Sequence, residues 1–264
     1  MSRRFDWAQY RATEFEGLDP EGVIAVLPTA AIEQHGPHLP VGTDTMIAQG
    51  MLRELRNQCP EDLDIRILPI QAIGKSNEHI HAPGTLTLPY ETALESWIEI
   101  GLSVARAGLR KIVIVNSHGG NLPLIQILGR ELRVRAGMMA VTCQWGSFGH
   151  PEGMFSAHEL AYGIHGGDVE TSLMLDFAPE CVDMGAAMNF ISAAETNPVP
   201  PIGAVAQAWV SSDLNAHGTV GNAKEATAAK GQATCTHQVA GMVELLRKMR
   251  AQPLNGLDPT QPDL

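Results

Sequence analysis

The sequence predicts an α/β fold in which helices cover both faces of a mostly parallel sheet. Two observations lead to this prediction. Short apolar runs rich in β-branched residues recur along the 264-residue chain, and such runs are typical of strands buried on both faces. Stretches with helical spacing separate these runs, and alternation of strands and helices indicates a parallel sheet.

The predicted elements follow one another in a regular order. A strand over residues 22–30 precedes a helix over 43–58, for which Thr43 is the expected cap. A strand over 64–74 precedes a helix over 90–108, and a strand over 111–117 precedes a helix over 121–137. A fourth strand is expected over 139–146, and further helices over 168–177 and 221–250.

The chain shows no repeat and no linker with a shift in composition, so we predict one domain over residues 1–264. Residues 147–166 and 195–219 interrupt the alternation and are interpreted as active-site or subunit-contact loops. The tail over about 252–264 is expected to be disordered.

Composition excludes several classes of protein. Lys and Arg total 18 against 29 Asp and Glu, a net charge of -11 that argues against nucleic acid or an anionic membrane as a partner. No apolar run approaches the roughly 18 residues that span a bilayer, and the N-terminus lacks the apolar segment of a signal peptide. The four cysteines are scattered without CxxC spacing, which indicates reduced thiols and a cytoplasmic location.

Polar side chains gather where the predicted strands end. "EQHGPHLPVGTD" (33–44) follows the first strand, "GKSNEHIHAPGT" (74–85) the second and "NSHGGN" (116–121) the third, while "GIHGGDVET" (163–171) opens a later helix. Functional groups of open parallel sheets lie at such strand ends. Taken singly, His38, His81 and Asp168 are more simply explained as solvated or structural residues. Asp44 could cap a helix, and "HGGN" could be a glycine turn.

The four segments together indicate a metal site, because divalent ions accept imidazole and carboxylate ligands and offset the cost of burying them. Glu33 and His35 are two residues apart, so an extended backbone points both side chains the same way. Asp44 returns after a loop rich in Gly and Pro, and its carboxylate could bridge two ions. We therefore predict a pair of metal ions at these residues.

The motifs also resemble those of a known family. "EQHGPHLPVGTD", "GKSNEHIHAPGTLTL", "NSHGG" and "HGGDVETSLML" are similar, in order and spacing, to the motifs of the creatininase (creatinine amidohydrolase) family. The resemblance implies a three-layer α/β/α fold, two divalent ions (Zn, Mn or Fe) and a homo-oligomer, commonly a hexamer. By position it implies metal ligands at Glu33, His35, Asp44 and His118, with Glu170 as a further ligand, and proton transfer by His165.

The resemblance predicts a hydrolase that cleaves a C–N bond of a small cyclic amide or formamide. Creatinine-hydrolysing members carry a Glu where this chain has Gly120, and a Trp where it has Ala161 and Tyr162, so creatinine itself is not the expected substrate. Asp168 competes with Glu170 for the second metal site. The residues expected to bind substrate are Glu78, His79, Ser117, Gly119, Gly120 and Tyr162. For Glu78 and His79, a surface pair is the alternative. Two alternatives stay open: a two-metal lactonase or phosphoesterase, and a non-catalytic metal-binding oligomer.

Overall fold

The computed structural model describes residues 3–258 and contains a parallel sheet of four strands in the order β2-β1-β3-β4. These strands are β1 (Val23–Thr29), β2 (Asp64–Ile67), β3 (Lys111–Asn116) and β4 (Met139–Gln144). β5 (Asn189–Phe190) and β6 (Gly221–Asn222) form a separate antiparallel pair. Every residue of β1 and β3 is buried, as expected for central strands that are covered on both faces.

Within residues 3–258, seven α-helices accompany the strands. They are α1 (Thr43–Gln58), α2 (Tyr90–Arg106), α3 (Leu122–Ala136), α4 (Ala157–Tyr162), α5 (Asp168–Phe177), α6 (Ser211–Leu214) and α7 (Ala228–Ala251). One apolar core joins α1, α5 and α7 to one face of the sheet, and a second core joins α2 and α3 to the other face. Alternate residues of β1 enter the two cores, Ile24 the first and Ala25 the second. The predicted three-layer α/β/α fold is confirmed.

Several predicted element ends, and one predicted cap, differ from the structure. Thr43 is the first residue of α1 rather than its cap, which is Gly42, and the Thr43 hydroxyl donates to the Pro40 carbonyl. β2 ends at Ile67, well short of residue 74. The last helix begins at residue 228 rather than 221, because the Thr227 side chain accepts a hydrogen bond from the Lys230 amide and caps it there.

The two segments that interrupt the alternation of strands and helices each contain a short helix. Residues 147–166 include α4, and residues 195–219 include α6. Part of the tail expected to be disordered contacts the rest of the chain, because Leu254 and Leu257 pack against the first core and the Arg110 guanidinium donates to the Leu257 carbonyl. The rest of that tail, residues 259–264, lies outside the described residues. No helix within residues 3–258 is both long and apolar enough to cross a membrane.

Candidate metal centre

A cluster of buried carboxylates and imidazoles lies at the carboxyl ends of β1 and β3, which are neighbours in the sheet. Glu33 and His35 follow β1, His118 follows β3, and Asp44 lies in the first turn of α1. The exposed fraction of each of these four residues is 5% or less. The structure thus brings together the four residues that the sequence analysis placed at the core of the site.

Asp44 lies between two imidazoles. Its Oδ1 is 3.6 Å from His35 Nε2, and its Oδ2 is 3.5 Å from His118 Nδ1. Glu33 Oε1 is 3.2 Å from the same His118 nitrogen. One carboxylate with an oxygen towards each of two imidazoles is the arrangement expected of a residue that bridges two ions.

Several polar atoms of this cluster are buried without a hydrogen-bond partner. They are both carboxylate oxygens of Glu33, Oδ2 of Asp44 and Nε2 of His35. Buried polar atoms are nearly always satisfied, and a buried carboxylate is costly unless a positive charge accompanies it. Oxygen and imidazole nitrogen are donors that Zn²⁺, Mn²⁺ and Fe²⁺ accept together. These residues therefore fit divalent metal ions.

Hydrogen bonds to backbone carbonyls orient three of the imidazoles. His35 Nδ1 lies 3.0 Å from the Glu33 carbonyl, His118 Nε2 lies 2.8 Å from the Lys75 carbonyl, and His165 Nε2 lies 2.8 Å from the Gln34 carbonyl. We assign an N–H to each of these nitrogens, since a carbonyl only accepts. The other nitrogen of each ring faces the carboxylates and is the one available to an ion or a proton.

His79 and Gln34 belong to the same cluster. Gln34 Oε1 accepts from the Gly36 amide, so its Nε2 donates to His79 Nδ1 at 2.8 Å. The other nitrogen of His79 then carries the proton and lies 3.5 Å from Glu33 Oε1. His79 also stacks on His165, with ring centroids 4.3 Å apart. Sequence reasoning did not single out Gln34, although its place between two ligand-type residues in "EQH" was a usable signal.

The structure separates the two candidates on α5. Glu170 Oε2 lies 3.8 Å from His35 Nε2 and accepts a hydrogen bond from the Gly166 amide at 2.6 Å. Asp168 instead pairs with Lys230 Nζ at 2.6 Å and accepts from the Ser172 hydroxyl at 3.0 Å. Only Glu170 of the two lies against the cluster.

Burial and charge act in opposite directions on the pKa values here. Burial lowers the pKa of His118, but the neighbouring carboxylates, with Glu33 the largest contributor, together raise it to about 10. The pKa of His35 is likewise lowered by burial and raised to about 10 by its carboxylate neighbours, with Asp44 the largest contributor. Burial raises the pKa of Asp44 to about 6. Burial lowers the pKa of His165 to about 4. Without an ion, protons on two imidazoles balance the carboxylates, and a bound cation would take over that balance.

A cleft of about 470 Å³ lies beside the cluster. Of the six residues predicted to bind substrate, Ser117 and Gly119 line it, as does Glu170. Its walls are largely apolar, with Ile47, Leu122, Trp145, Ile164, Val169 and Leu173 among the lining residues, and no lysine or arginine of the described chain lines it.

The other four residues predicted to bind substrate lie elsewhere. His79 is in the buried cluster, Glu78 and Gly120 pack against each other beside His118, and Tyr162 lies next to the ring of His158. None of the four is among the residues that line the cleft. A role for them in substrate binding stays a prediction.

Two histidines with simpler expected roles lie outside the cluster. His38 is buried with its Nε2 3.0 Å from both the Gly166 carbonyl and the Thr171 hydroxyl, and His81 is exposed. His38 thus has a structural environment and His81 a solvated one, which agrees with the prediction for each residue taken singly.

Glu159, on α4, is a buried carboxylate in the cleft wall that sequence reasoning missed. It accepts hydrogen bonds from the Asp168 amide at 2.7 Å and the Asn222 amide at 2.8 Å, and so ties the start of α5 to β6. Burial raises its pKa. Gly163, Gly167 and Gly221 surround its carboxylate so closely that a Cβ on any of them would lie within 2.7 Å of an oxygen. Nothing in the sequence around Glu159 signalled this arrangement.

Comparisons with known proteins agree with the motifs. Residues 8–246 match the family model described as creatininase, creatinine amidohydrolase. A mycofactocin precursor peptide peptidase of Mycolicibacterium smegmatis is 31% identical over 238 residues, which is 89% of this chain and 88% of that protein. Creatinine amidohydrolase of Pseudomonas putida is 27% identical over 262 residues, 92% of this chain and 94% of that protein. A solved manganese form of creatininase superposes with a TM-score of 0.71 at 23% identity, over 95% of this chain and 100% of that one.

Proposed function

This chain belongs to the creatininase family of metal-dependent hydrolases, and we propose that it cleaves the C–N bond of a small cyclic amide or formamide other than creatinine. One observation carries the proposal. Glu33, His35 and Asp44 converge with His118 while their ligand atoms remain buried and without hydrogen-bond partners. A site of this kind serves to hold cations rather than to stabilise the fold.

The candidate ligands are sufficient for two ions. Glu33 and His118 would hold one ion, His35 and Glu170 would hold the other, and Asp44 would bridge them. Zn²⁺, Mn²⁺ and Fe²⁺ all suit this set of oxygen and nitrogen donors. When bound, such ions lower the pKa of water towards neutrality and polarise a substrate carbonyl.

His165 is the residue placed to move a proton. Its Nε2 donates a hydrogen bond to the Gln34 carbonyl, and its Nδ1 faces the cluster, 3.6 Å from Glu33 Oε1. Nδ1 can therefore take a proton from the attacking water and return it to the departing amide nitrogen, which is a poor leaving group without it. Gln34 orients the His79 ring, which stacks on His165 and has its other nitrogen 3.5 Å from Glu33 Oε1.

The residues that line the cleft limit the kind of substrate it can bind. Without lysine or arginine among its described lining residues it offers no partner for a phosphate group, which counts against the phosphoesterase alternative. Family membership counts against a non-catalytic role. The departures at Gly120 and at Ala161 and Tyr162 from the pattern of creatinine-hydrolysing relatives support a substrate other than creatinine.

A second candidate substrate is the amide bond of a short peptide. A cleft of about 470 Å³ lies in the range of roughly 300 to 1,000 Å³ that accommodates drug-sized ligands, which are larger than one small ring. The relative from Mycolicibacterium smegmatis carries the name of a peptidase. A homo-oligomeric assembly and a cytoplasmic location stay predictions.

The test is a substrate panel on protein loaded with Mn²⁺ or Zn²⁺, with metal content measured on the same samples. The panel contains formamides, lactams, cyclic ureides, short peptides, lactones, phosphate esters and creatinine, and Asp44→Ala protein is the control for contaminating activity. We expect turnover of at least one amide that exceeds creatinine turnover and is absent from the control. Creatinine as the best substrate, or turnover confined to lactones or phosphate esters, would contradict the proposal.

A further inference from the structure

Gly120 and Glu78 share one space beside His118. A Cβ placed on Gly120 would lie 2.2 Å from Glu78 Oε1, 2.5 Å from His118 Nε2 and 2.4 Å from the Lys75 carbonyl oxygen. All three distances are shorter than real contacts of a Cβ. The absence of a side chain at position 120 is therefore what allows the Glu78 carboxylate to approach His118.

Glu78 is placed there by the short 3-10 turn Asn77–His79. Only 15% of its side chain is exposed, and its Oε1 lies 3.4 Å from His118 Nε2. Within residues 3–258, no lysine or arginine nitrogen forms an ion pair with it. A mostly buried carboxylate is costly unless a positive charge accompanies it. Without an ion, a proton on the adjacent His118 ring supplies that charge. When an ion takes the place of that proton, the ion must supply the charge instead.

The nearest candidate is the ion proposed at Glu33 and His118. Glu33, Glu78 and His118 each offer one ligand atom, and these atoms lie within 4.8 Å of one another. Both Glu33 oxygens are buried without a hydrogen-bond partner at the same place. We propose that Glu78 is a further protein ligand of this ion, an inference that rests on the proposed two-metal function.

This ligand makes the two ions unequal. The ion at Glu33 and His118 would have four protein ligands once Glu78 and the bridging Asp44 are included. The ion at His35 and Glu170 would have three with the same bridge, and three protein ligands with an open position are typical of a catalytic metal, whereas four are typical of a structural one. The cleft agrees with this division, because Glu170 lines it and Glu78 does not.

The test is metal binding by Glu78→Gln, which keeps the shape of the side chain and removes its charge. Metal-free protein is titrated with Mn²⁺ in competition with a chelating dye, and the Co²⁺-loaded protein is compared by its visible absorption spectrum. We expect the dissociation constant of one ion to rise by at least about 10-fold and the Co²⁺ bands to shift. Asp168→Asn is the matched control, because Asp168 is another buried carboxylate but pairs with Lys230. This substitution should leave both measurements unchanged.

Glu170→Gln separates the two ions. It should weaken the other ion, so the double variant with Glu78→Gln should weaken both. Unchanged affinity and an unchanged Co²⁺ spectrum in Glu78→Gln would overturn the inference. If that variant does not fold, Glu78→Asp is used, which keeps the charge on a shorter side chain, and wild-type affinity in Glu78→Asp would overturn the inference equally.

Wild-type protein that binds fewer than two ions would instead count against the proposed function. In that case the effect of Glu78→Gln on the single bound ion decides the present inference. A weakened ion supports it, and an unaffected ion overturns it.

Discussion

Replacement of Asp44 by Ala is the most direct test of the metal centre. Asp44 lies 3.6 Å from His35 Nε2 and 3.5 Å from His118 Nδ1, so one substitution removes a ligand from both proposed ions. An ion that binds only the folded state stabilises it by about 2.7 kcal/mol at 100 times its dissociation constant, and two ions therefore by about 5 kcal/mol. For a chain of this size the melting temperature should rise by roughly 10 to 20 °C.

The assay is calorimetric melting with and without Mn²⁺, accompanied by metal analysis. Mn²⁺ is preferred to Zn²⁺ because the chain has four cysteines and ten histidines, and zinc bound to the unfolded chain would reduce the shift. Wild-type protein should show the full rise, and Asp44→Ala should lose most of it together with its activity. The comparison is made within each variant, so any cost of the substitution to the metal-free fold cancels.

Glu91→Ala supplies the control for a purely helical role. Glu91 occupies the first turn of α2 as Asp44 occupies that of α1, but it is exposed. A first-turn carboxylate interacts with the helix dipole by less than about 1 kcal/mol, and Glu91→Ala should change no metal-dependent measurement. Asp44→Ala protein that keeps the wild-type rise in melting temperature and two bound ions would refute the assignment of Asp44 as the bridge.

Four other substitutions have defined outcomes. His165→Ala should lower amide turnover by about 100- to 10,000-fold at unchanged metal content, and less for substrates with a better leaving group. Glu170→Gln should lower the metal content from about two ions to about one, because one ion then keeps too few protein ligands. Glu159→Gln should cost about 1 to 3 kcal/mol in the free energy of unfolding, since its amide NH₂ faces a backbone N–H. Gly231→Ala should also cost about 1 to 3 kcal/mol, because a Cβ would lie 2.0 Å from the Ser172 carbonyl oxygen.

Each of these four predictions can be contradicted by a specific result. Metal loss in His165→Ala, or equal activity losses for all leaving groups, would show that this histidine is a ligand or a structural group. Two tightly bound ions in Glu170→Gln would show that the second site uses other residues. An unchanged melting temperature in Glu159→Gln, or a higher one in Gly231→Ala, where helix propensity alone favours Ala, would contradict the packing arguments.

Much of the fold was predictable because local and tertiary preferences agree. The helix predicted over residues 43–58 is α1, and the apolar run over 22–30 contains β1. The prediction of a helix from residue 221 was wrong because Gly221 has a φ of 123° and pairs in β6, a requirement of the tertiary structure. The strand predicted to residue 74 was too long, because Pro69 has no amide hydrogen to pair in the sheet.

The site was predictable in its residue types and less so in its contacts. Glu33 and His35 were paired correctly because the two-residue spacing of extended backbone is a local property. The contact between Glu78 and Gly120 joins segments that follow different strands, and no spacing rule relates them. The same holds for Gln34, whose side chain reaches His79 across 45 residues of sequence.

The order of the strands also has a consequence for how the chain folds. β1 lies between β2 and β3, so during synthesis β1 remains paired on one side at most until residue 116 has been made. The His165 ring is held by a carbonyl 131 residues earlier in the chain, and contacts of such separation form slowly because the intervening loop must first be closed. A nascent chain that ends before α5 carries Glu33, Asp44 and His118 but cannot yet enclose them. We therefore expect the proposed ions to be taken up in the late steps of folding.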